Sequence, residues 1–397
     1  MDLSKKAKQI SPSQTLAITA KAKELKSKGL DVVSFGAGEP DFDTPDHIKE
    51  AAIKAINEGF TKYTPASGIN ELKQAVCNKL KVENGLDYNI DQVLISNGAK
   101  HSLFNTFLAI LEEGDEVIIP VPYWVSYPEI VKIAGGVPIY TYLVEDDNFK
   151  LNVDDLQSKI TDKTKAIILN FPNNPTGNII TKEELTAIAE IALENNLYII
   201  SDEIYEKIIY DGNKHLSIAT LGEEIKDHTI LINGVSKTYS MTGWRIGYAV
   251  GNSNIIKAMS SIQSHTTSNP NSIAQKAALA ALTGNQNQVD LMVKEFARRR
   301  DHMVKKINNM QGIKCNKPLG AFYVFADISQ LFGTSIDNQE ITNSIEFCKA
   351  LIEKGEVAVI PGAAFGADNY IRISYATSLE NIIKGLDKIE IFINNLK

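Results

Sequence analysis

Between about residues 92 and 250 the chain alternates short apolar runs with longer amphipathic segments, and this alternation narrows the folds open to it. The runs are Val93–Ser96, Glu116–Pro120, Ala166–Asn170, Leu197–Ser201, Thr229–Asn233 and Arg245–Val250. Most intervals between them carry helical periodicity, as at 182–195 and at 99–112, where Leu103, Phe104, Phe107, Leu108 and Leu111 face inward. Short apolar runs separated by helices are strands buried on both faces, so the pattern predicts a mostly parallel sheet in an α/β fold. Upstream, 46–58 reads as a helix from the spacing of Ile48, Ala51, Ala52, Ala55 and Ile56, and 69–83 reads likewise. Beyond 286 the rhythm changes: one long helix at 287–311, strand-like pieces at 321–327, 357–360 and 370–375, and helices at 338–354 and 378–395. A large domain over 46–286 is expected, with a smaller α+β domain made from 287–397 and the N-terminal segment 1–45.

In an open parallel sheet, ligands bind beyond the carboxyl ends of the strands. Asn97-Gly98-Ala99-Lys100 follows the first run and opens a helix, whose free N–H groups suit a phosphate. Asn173-Asn174-Pro175-Thr176-Gly177 follows the third, either as a plain turn or as a rigid mount for an amide. Asp202-Glu203-Ile204-Tyr205 follows the fourth, where Asp202 is either a cap or a charge set to meet a cation. Gly234-Val235-Ser236-Lys237 follows the fifth, and Lys237 is either one more loop lysine or a desolvated amine nucleophile. Each feature alone has an ordinary reading. Together they place an amine, an acid, a phenol, an amide and a helix N-terminus along one sheet edge, the inventory that pyridoxal 5′-phosphate (PLP) requires.

Basic-residue usage adds to this. The chain has 41 Lys and Arg, of which only five are arginine. Three form the run Arg298-Arg299-Arg300, and Arg245 and Arg372 stand alone. Arginine's planar fork grips carboxylates and phosphates in two places, so both lone positions are candidate anion sites. A net charge of −7 with no basic block argues against nucleic acid as a partner. Cys77, Cys315 and Cys348 have neither metal nor redox spacing, so no metal is expected. No apolar stretch is long enough to span a membrane and the N-terminus does not read as a signal peptide, which makes the cytoplasm the expected location. Gly36-Ala37-Gly38 fails as a dinucleotide fingerprint because Glu39-Pro40 follows, and Gly234-Val235-Ser236 fails as a nucleophile elbow at Thr238.

The segment from Gly234 through Lys237 to Arg245-Ile246-Gly247 resembles the pyridoxal-attachment signature of the class I aminotransferases. Asn174-Pro175-Thr176-Gly177 and Asp202-Glu203-Ile204-Tyr205 are similar to that family in the same order. The likeness runs from Gly38-Glu39-Pro40-Asp41-Phe42 to Arg372-Ile373-Ser374-Tyr375-Ala376 and is strongest to the bacterial Ib aspartate aminotransferases. It implies the fold type I architecture of PLP-dependent transferases and a ping-pong amino transfer between aspartate and 2-oxoglutarate. A different amino-acid aminotransferase or a PLP lyase on the same scaffold is the alternative.

Carried onto this chain, the resemblance implies that Lys237 bonds the cofactor aldehyde and moves the substrate proton. Asp202 pairs with the pyridine nitrogen, Tyr205 and Asn174 with the phenolic oxygen, and Trp124 stacks on the ring. Ser236 and Arg245 hold the phosphate with the N–H groups of Ala99 and Lys100. Tyr63 reaches the phosphate of a second subunit, which implies a homodimer. Arg372 clamps the substrate α-carboxylate with Asn174 and the backbone at Gly38, while Lys100, Ser13 and Thr15 read a side-chain carboxylate. Ser11 stands where prephenate-using members carry a basic residue, which argues against prephenate.

Overall fold

The computed structural model describes residues 2–12, 14–144 and 149–397. A two-residue strand, β1 (Val33–Ser34), precedes the main sheet. That sheet is built from β2 (Val93–Ser96), β3 (Glu116–Val121), β4 (Val137–Tyr142), β5 (Thr164–Asn170), β6 (Tyr198–Asp202), β7 (Thr229–Gly234) and β8 (Gly247–Val250), in the order β2-β8-β7-β6-β5-β3-β4. β4, β3, β5, β6 and β7 pair in parallel, whereas β8 is antiparallel to both β7 and β2. The sheet is therefore mixed but mostly parallel. Its central strands are apolar on both faces because helices cover both: Ile199, Ile200, Ile230, Leu231 and Ile232 are fully buried. Each such side chain contributes roughly 1.5–3 kcal/mol by leaving water.

The reversed strand places the site. Because β2 and β7 both run against β8, their carboxyl ends meet its start, with Ser96 and Gly234 both opposite Gly247. The run read from Arg245 begins as a strand only at Gly247, since Arg245 has a left-handed φ of 58° and turns the chain into β8. Gly247 has to be glycine: a Cβ there would lie 2.2 Å from the Ala99 nitrogen and 2.5 Å from the Gly98 carbonyl carbon.

A second sheet, ordered β14-β15-β10-β9, uses β9 (Lys314–Cys315), β10 (Tyr323–Asp327), β14 (Ile360–Pro361) and β15 (Tyr370–Ser374). The helix Asn287–Ile307 backs it with Met292, Phe296, Met303 and Ile307, a stripe at helical spacing. The expected strand 357–360 divides between β13 (Val357–Ala358) and β14. β13 pairs in parallel with β1, and the Ser374 N–H donates to the Phe35 carbonyl at 3.0 Å. Phe35 is fully buried in the same core as Phe296 and Leu386, so residues 33–35 pack with the C-terminal elements.

The sequence pattern also misplaces the start of one helix and omits one strand. The helix expected over 338–354 occupies only Ser344–Lys354, where the Asn343 side chain accepts from the Glu346 N–H as its cap. Residues just before it form a hairpin, β11 (Ser335–Ile336) and β12 (Gln339–Glu340), turned by Asp337 and Asn338, both at positive φ. Strand β4 was not among the apolar runs because it lies at the sheet edge, half exposed, with Pro138 inside it.

The Gly247 contact is backbone against backbone, which side-chain movement cannot relieve. Gly247→Ala is expected to cost about 2–4 kcal/mol and to lower the melting temperature by several degrees. Gly243→Ala, with nothing within 4 Å of the added carbon, should leave it nearly unchanged. Equal melting temperatures for the two variants in a thermal scan would contradict this account.

Candidate active site

The carboxyl ends of β2, β5, β6 and β7 and the start of β8 border a cleft of about 560 Å³, and the second sheet supplies the opposite wall. Lys237 and Ser236 enter it from the loop after β7. The Lys237 ammonium donates to the Gly38 carbonyl at 2.5 Å. Burial, with Arg372 and Arg245 adding to it and Glu39 opposing, brings its pKa down to about 8. That leaves a sizeable neutral fraction near physiological pH, which a nucleophilic amine needs.

Asp202, the last residue of β6, is 3% exposed. Its Oδ2 accepts from the Tyr127 hydroxyl at 2.8 Å and its Oδ1 from the Ile204 N–H at 3.3 Å. Burial raises its pKa to about 6, although both hydrogen bonds favour the ionised form. Glu203 adds to the rise, and the Lys237 ammonium opposes it too weakly to offset burial. Tyr205 is buried, its hydroxyl 2.9 Å from that of Tyr323.

The two lone arginines differ from the other three. Arg298 pairs with Glu295, Arg299 with Asp41 and Glu295, and Arg300 with Asp211 and Asp301. Neither Arg245 nor Arg372 has an ion pair among the described residues. Arg372, at the middle of β15 and 3% exposed, donates from one terminal nitrogen to Asn174 Oδ1 at 2.9 Å and from the other to the Gly36 carbonyl at 3.1 Å. The Tyr323 and Phe365 rings lie 4.4 and 5.0 Å from its centre, and its Nε has no partner among the described residues. Burial lowers its pKa. An unmade bond at a buried donor costs about 1–3 kcal/mol, so this guanidinium is arranged for an acceptor that arrives from outside.

Arg245 donates to the Thr242 carbonyl at 2.8 Å and lies against Gly98, where a Cβ would come within 2.3 Å of its fork. Gly98 is the N-cap of the helix Ala99–Ile110, whose first N–H groups, those of Ala99 and Lys100, no helical carbonyl can satisfy. A guanidinium beside such an end is an anion site. At the mouth, the Lys100 ammonium lies 4.8 Å over the Trp124 ring, and burial followed by Arg245 lowers its pKa. Thr15, on the helix Gln14–Ser27, also borders the cleft.

The cleft thus brings together Lys237, Asp202, Tyr205, Asn174, Trp124 and Ser236 with Arg245, Ala99, Lys100, Gly38, Arg372 and Thr15. Tyr63 is not on its wall; its side chain is 92% exposed. Ser13 lies outside the described residues. Sequence reasoning did not single out Tyr127, Tyr323, Asn170 or Thr242, which also line the cleft. Asn170 was findable as the last residue of its strand, where its amide donates to the Asp202 carbonyl at 3.0 Å. Tyr323 arrives from the second sheet and carried no local signal.

A family model for aminotransferase class I and II matches residues 30–389. The aspartate aminotransferase of Bacillus sp. (strain YM-2) is 52% identical over 391 residues, covering 98% of this chain and 99% of that protein. Among solved structures, the aspartate aminotransferase of Rhizobium meliloti superposes with a TM-score of 0.96 at 41% identity over the whole of both chains. That of Thermus thermophilus with maleate gives 0.92 at 42% identity, over 99% of this chain and 100% of that one.

The Asp202 carboxyl titrates near 3.8 when unfolded and at about 6 in the fold. The raised pKa therefore adds no cost at pH values below the unfolded pKa and, above pH 6, destabilises the ligand-free protein by on the order of 3 kcal/mol relative to low pH. Asp202→Asn should gain stability relative to wild type as pH rises from 4 to 8, measured by denaturant unfolding. A difference that stays constant over that range would rule out a raised carboxyl pKa.

Proposed function

The chain belongs to the class I and II aminotransferase family, and from that premise we propose that it moves the amino group of L-aspartate to 2-oxoglutarate with PLP as cofactor. The observation that carries this reading is the cleft's unmatched cationic set. Arg372 and Arg245, each without an ion pair among the described residues, flank a desolvated lysine and a buried acid.

The donor set fits PLP. Lys237 supplies an amine for its aldehyde, Asp202 an acid for its pyridine nitrogen, and Trp124 a ring face. Tyr205 and Asn174 supply polar groups for its phenolic oxygen. Ser236, Arg245 and the Ala99 and Lys100 N–H groups supply phosphate donors beside Gly98, where a side chain would collide with Arg245. When bound, the cofactor supplies an electron sink for the carbanion formed at the amino acid's Cα.

The protein's part is binding and proton handling. Arg372, held flat by Tyr323 and by Asn174, orients the α-carboxylate, and the backbone at Gly38 borders the same space. The Lys237 amine would be the base placed to take the proton from the amino acid's Cα and to hold it within the cleft. Asp202 keeps the pyridine nitrogen protonated. Asp202, whose pKa burial raises, would be lowered again by a protonated nitrogen beside it, so the acid and a bound pyridine would favour each other's charged forms.

Lys100 and Thr15 at the mouth, joined by Ser13, read the second carboxylate of aspartate, of glutamate and of their oxo acids. The two half-reactions share this one site in a ping-pong cycle. We place residues 46–286 in a large domain and 1–45 with 287–397 in a small one, as the packing of residues 33–35 favours. The protein acts as a cytoplasmic homodimer in which the exposed Tyr63 phenol reaches the partner's phosphate site.

Stopped-flow spectra with a panel of amino acids test this assignment. Aspartate and glutamate should convert the pyridoxal band to the pyridoxamine band fastest, and a faster aromatic or alanine half-reaction would overturn it. Lys237→Ala deletes nucleophile and base together and should abolish turnover; near-normal activity would refute its role. Arg372→Lys loses the two-pronged grip and should raise KM for aspartate by roughly tenfold or more with cofactor retention unchanged. Parallel loss of cofactor would count against that assignment.

A further inference from the structure

Behind the cleft lies a second buried charge cluster that none of the steps above uses. In Asp202-Glu203-Ile204-Tyr205-Glu206, Asp202, Ile204 and Tyr205 line the cleft, while the buried Glu203 and Glu206 bond away from it. Glu203 accepts from Ser201 and Ser217 at 2.9 and 2.6 Å, and its other oxygen lies 2.7 Å from His215 Nε2. Glu206 accepts from the Lys79 ammonium, from Asn84 at 3.0 Å and from the Asn233 amide at 2.8 Å. Ligand atoms of Glu203, Glu206 and His215 come within 4.8 Å of one another, but the buried Lys79 already supplies the cation.

The Asn233 bond crosses a particular gap. The β6–β7 ladder ends at Asp202 opposite Ile232, followed by one more bond from the Glu203 N–H to the Ile232 carbonyl at 2.9 Å. Beyond it one chain carries Tyr205 and the other carries Ser236 and Lys237. Asn233 is 1% exposed; its Oδ1 accepts from the Gly234 N–H at 2.7 Å while its amide reaches Glu206. Where the backbone ladder stops, a side-chain bond takes over.

We propose that Glu206 and Asn233 are positioning residues: their hydrogen bond fixes the segment bearing Asp202 and Tyr205 against the segment bearing Lys237. This rests on the PLP reading above, in which acid and amine act on opposite ends of one rigid ring. Misplacement by about 1 Å in such a geometry can cost on the order of 100-fold in rate. Glu206 stays ionised in the interior: burial alone would raise this carboxyl, and Lys79, with His215 and Asn84, outweighs it to hold the pKa at about 2.

The test uses the PLP-loaded enzyme. Asn233→Ser keeps an oxygen for the Gly234 N–H but is too short to reach Glu206. The paired change Glu206→Leu with Lys79→Met removes the same bond without stranding a buried charge. Each should lower kcat by about tenfold or more with KM for aspartate within about twofold, and should displace the pH midpoint of the bound cofactor's absorbance. Added to the pair, Asn233→Ser should change kcat by less than about twofold, because the bond is already gone. Ile389→Ala, in the core beneath the second sheet, provides the reference for stability loss alone.

Losses that multiply in the combined variant would overturn the inference. So would an Asn233→Ser enzyme whose kcat and absorbance midpoint match those of Ile389→Ala at equal loss of melting temperature. Wild-type protein that takes up no PLP would sink the underlying reading instead, and that result is visible before any variant is made.

Discussion

The antiparallel insertion of β8 between β2 and β7 is the constraint on which the site depends. In a wholly parallel sheet the start of this strand would lie at the far edge, and Arg245 with it. Reversal places that start beside the ends of β2 and β7, with Gly247 opposite both Ser96 and Gly234. A guanidinium, a helix N-terminus and the lysine loop are thereby gathered within one neighbourhood. The geometry demands glycine at Gly98 and Gly247, where side chains would strike Arg245 and the helix backbone. Main-chain packing fixes the anion site before any polar contact is made.

Electrostatics then set what this neighbourhood can do. Three of the five arginines are neutralised by carboxylates, and the two that meet the cleft are not. Asp202 is held at a raised pKa and Lys237 at a lowered one, both chiefly by burial. Burial of these charges weakens the ligand-free fold, and on the proposed reading a cofactor and its substrate together would relieve it: a pyridinium for the acid, an aldehyde for the amine, a phosphate for Arg245 and a carboxylate for Arg372. Complementarity of this kind distinguishes a binding site from a structural charge network such as Glu206 with Lys79, where every partner is already inside the protein.

Much of this was legible in the sequence because parallel strands advertise themselves as apolar runs and put their functional residues immediately after the run. Asn174, Asp202, Lys237 and the turn at Gly98 were found in that way. What escaped reading was either reversed, at the edge or distant. The direction of β8 leaves no mark in its four residues, and β4 is half exposed and interrupted by Pro138. The hairpin at 335–340 has the Asp337-Asn338 turn but sits against a helix whose periodicity concealed it. Tyr323, whose hydroxyl meets that of Tyr205 from the main-sheet side, comes from the second sheet, 118 residues further along the chain. Contacts between segments more than a hundred residues apart have no local signature.

The two sheets contribute different groups to the cleft. Asn170 and Asp202 end strands of the main sheet and Lys237 follows another, and those strands are buried on both faces. Arg372 comes from the second sheet, while Lys100 and Thr15 stand at the mouth on helices, with the Lys100 ammonium over the Trp124 ring. Substitution at Asp202 or Asn233 disturbs two hydrogen bonds of the altered residue at once. On the proposed aspartate reading, the side chains of Lys100 and Thr15 recognise the second carboxylate from helices at the mouth while Lys237 and Asp202 act at Cα from the strand ends, so a scaffold divided in this way can alter the side chain it accepts while keeping its chemistry.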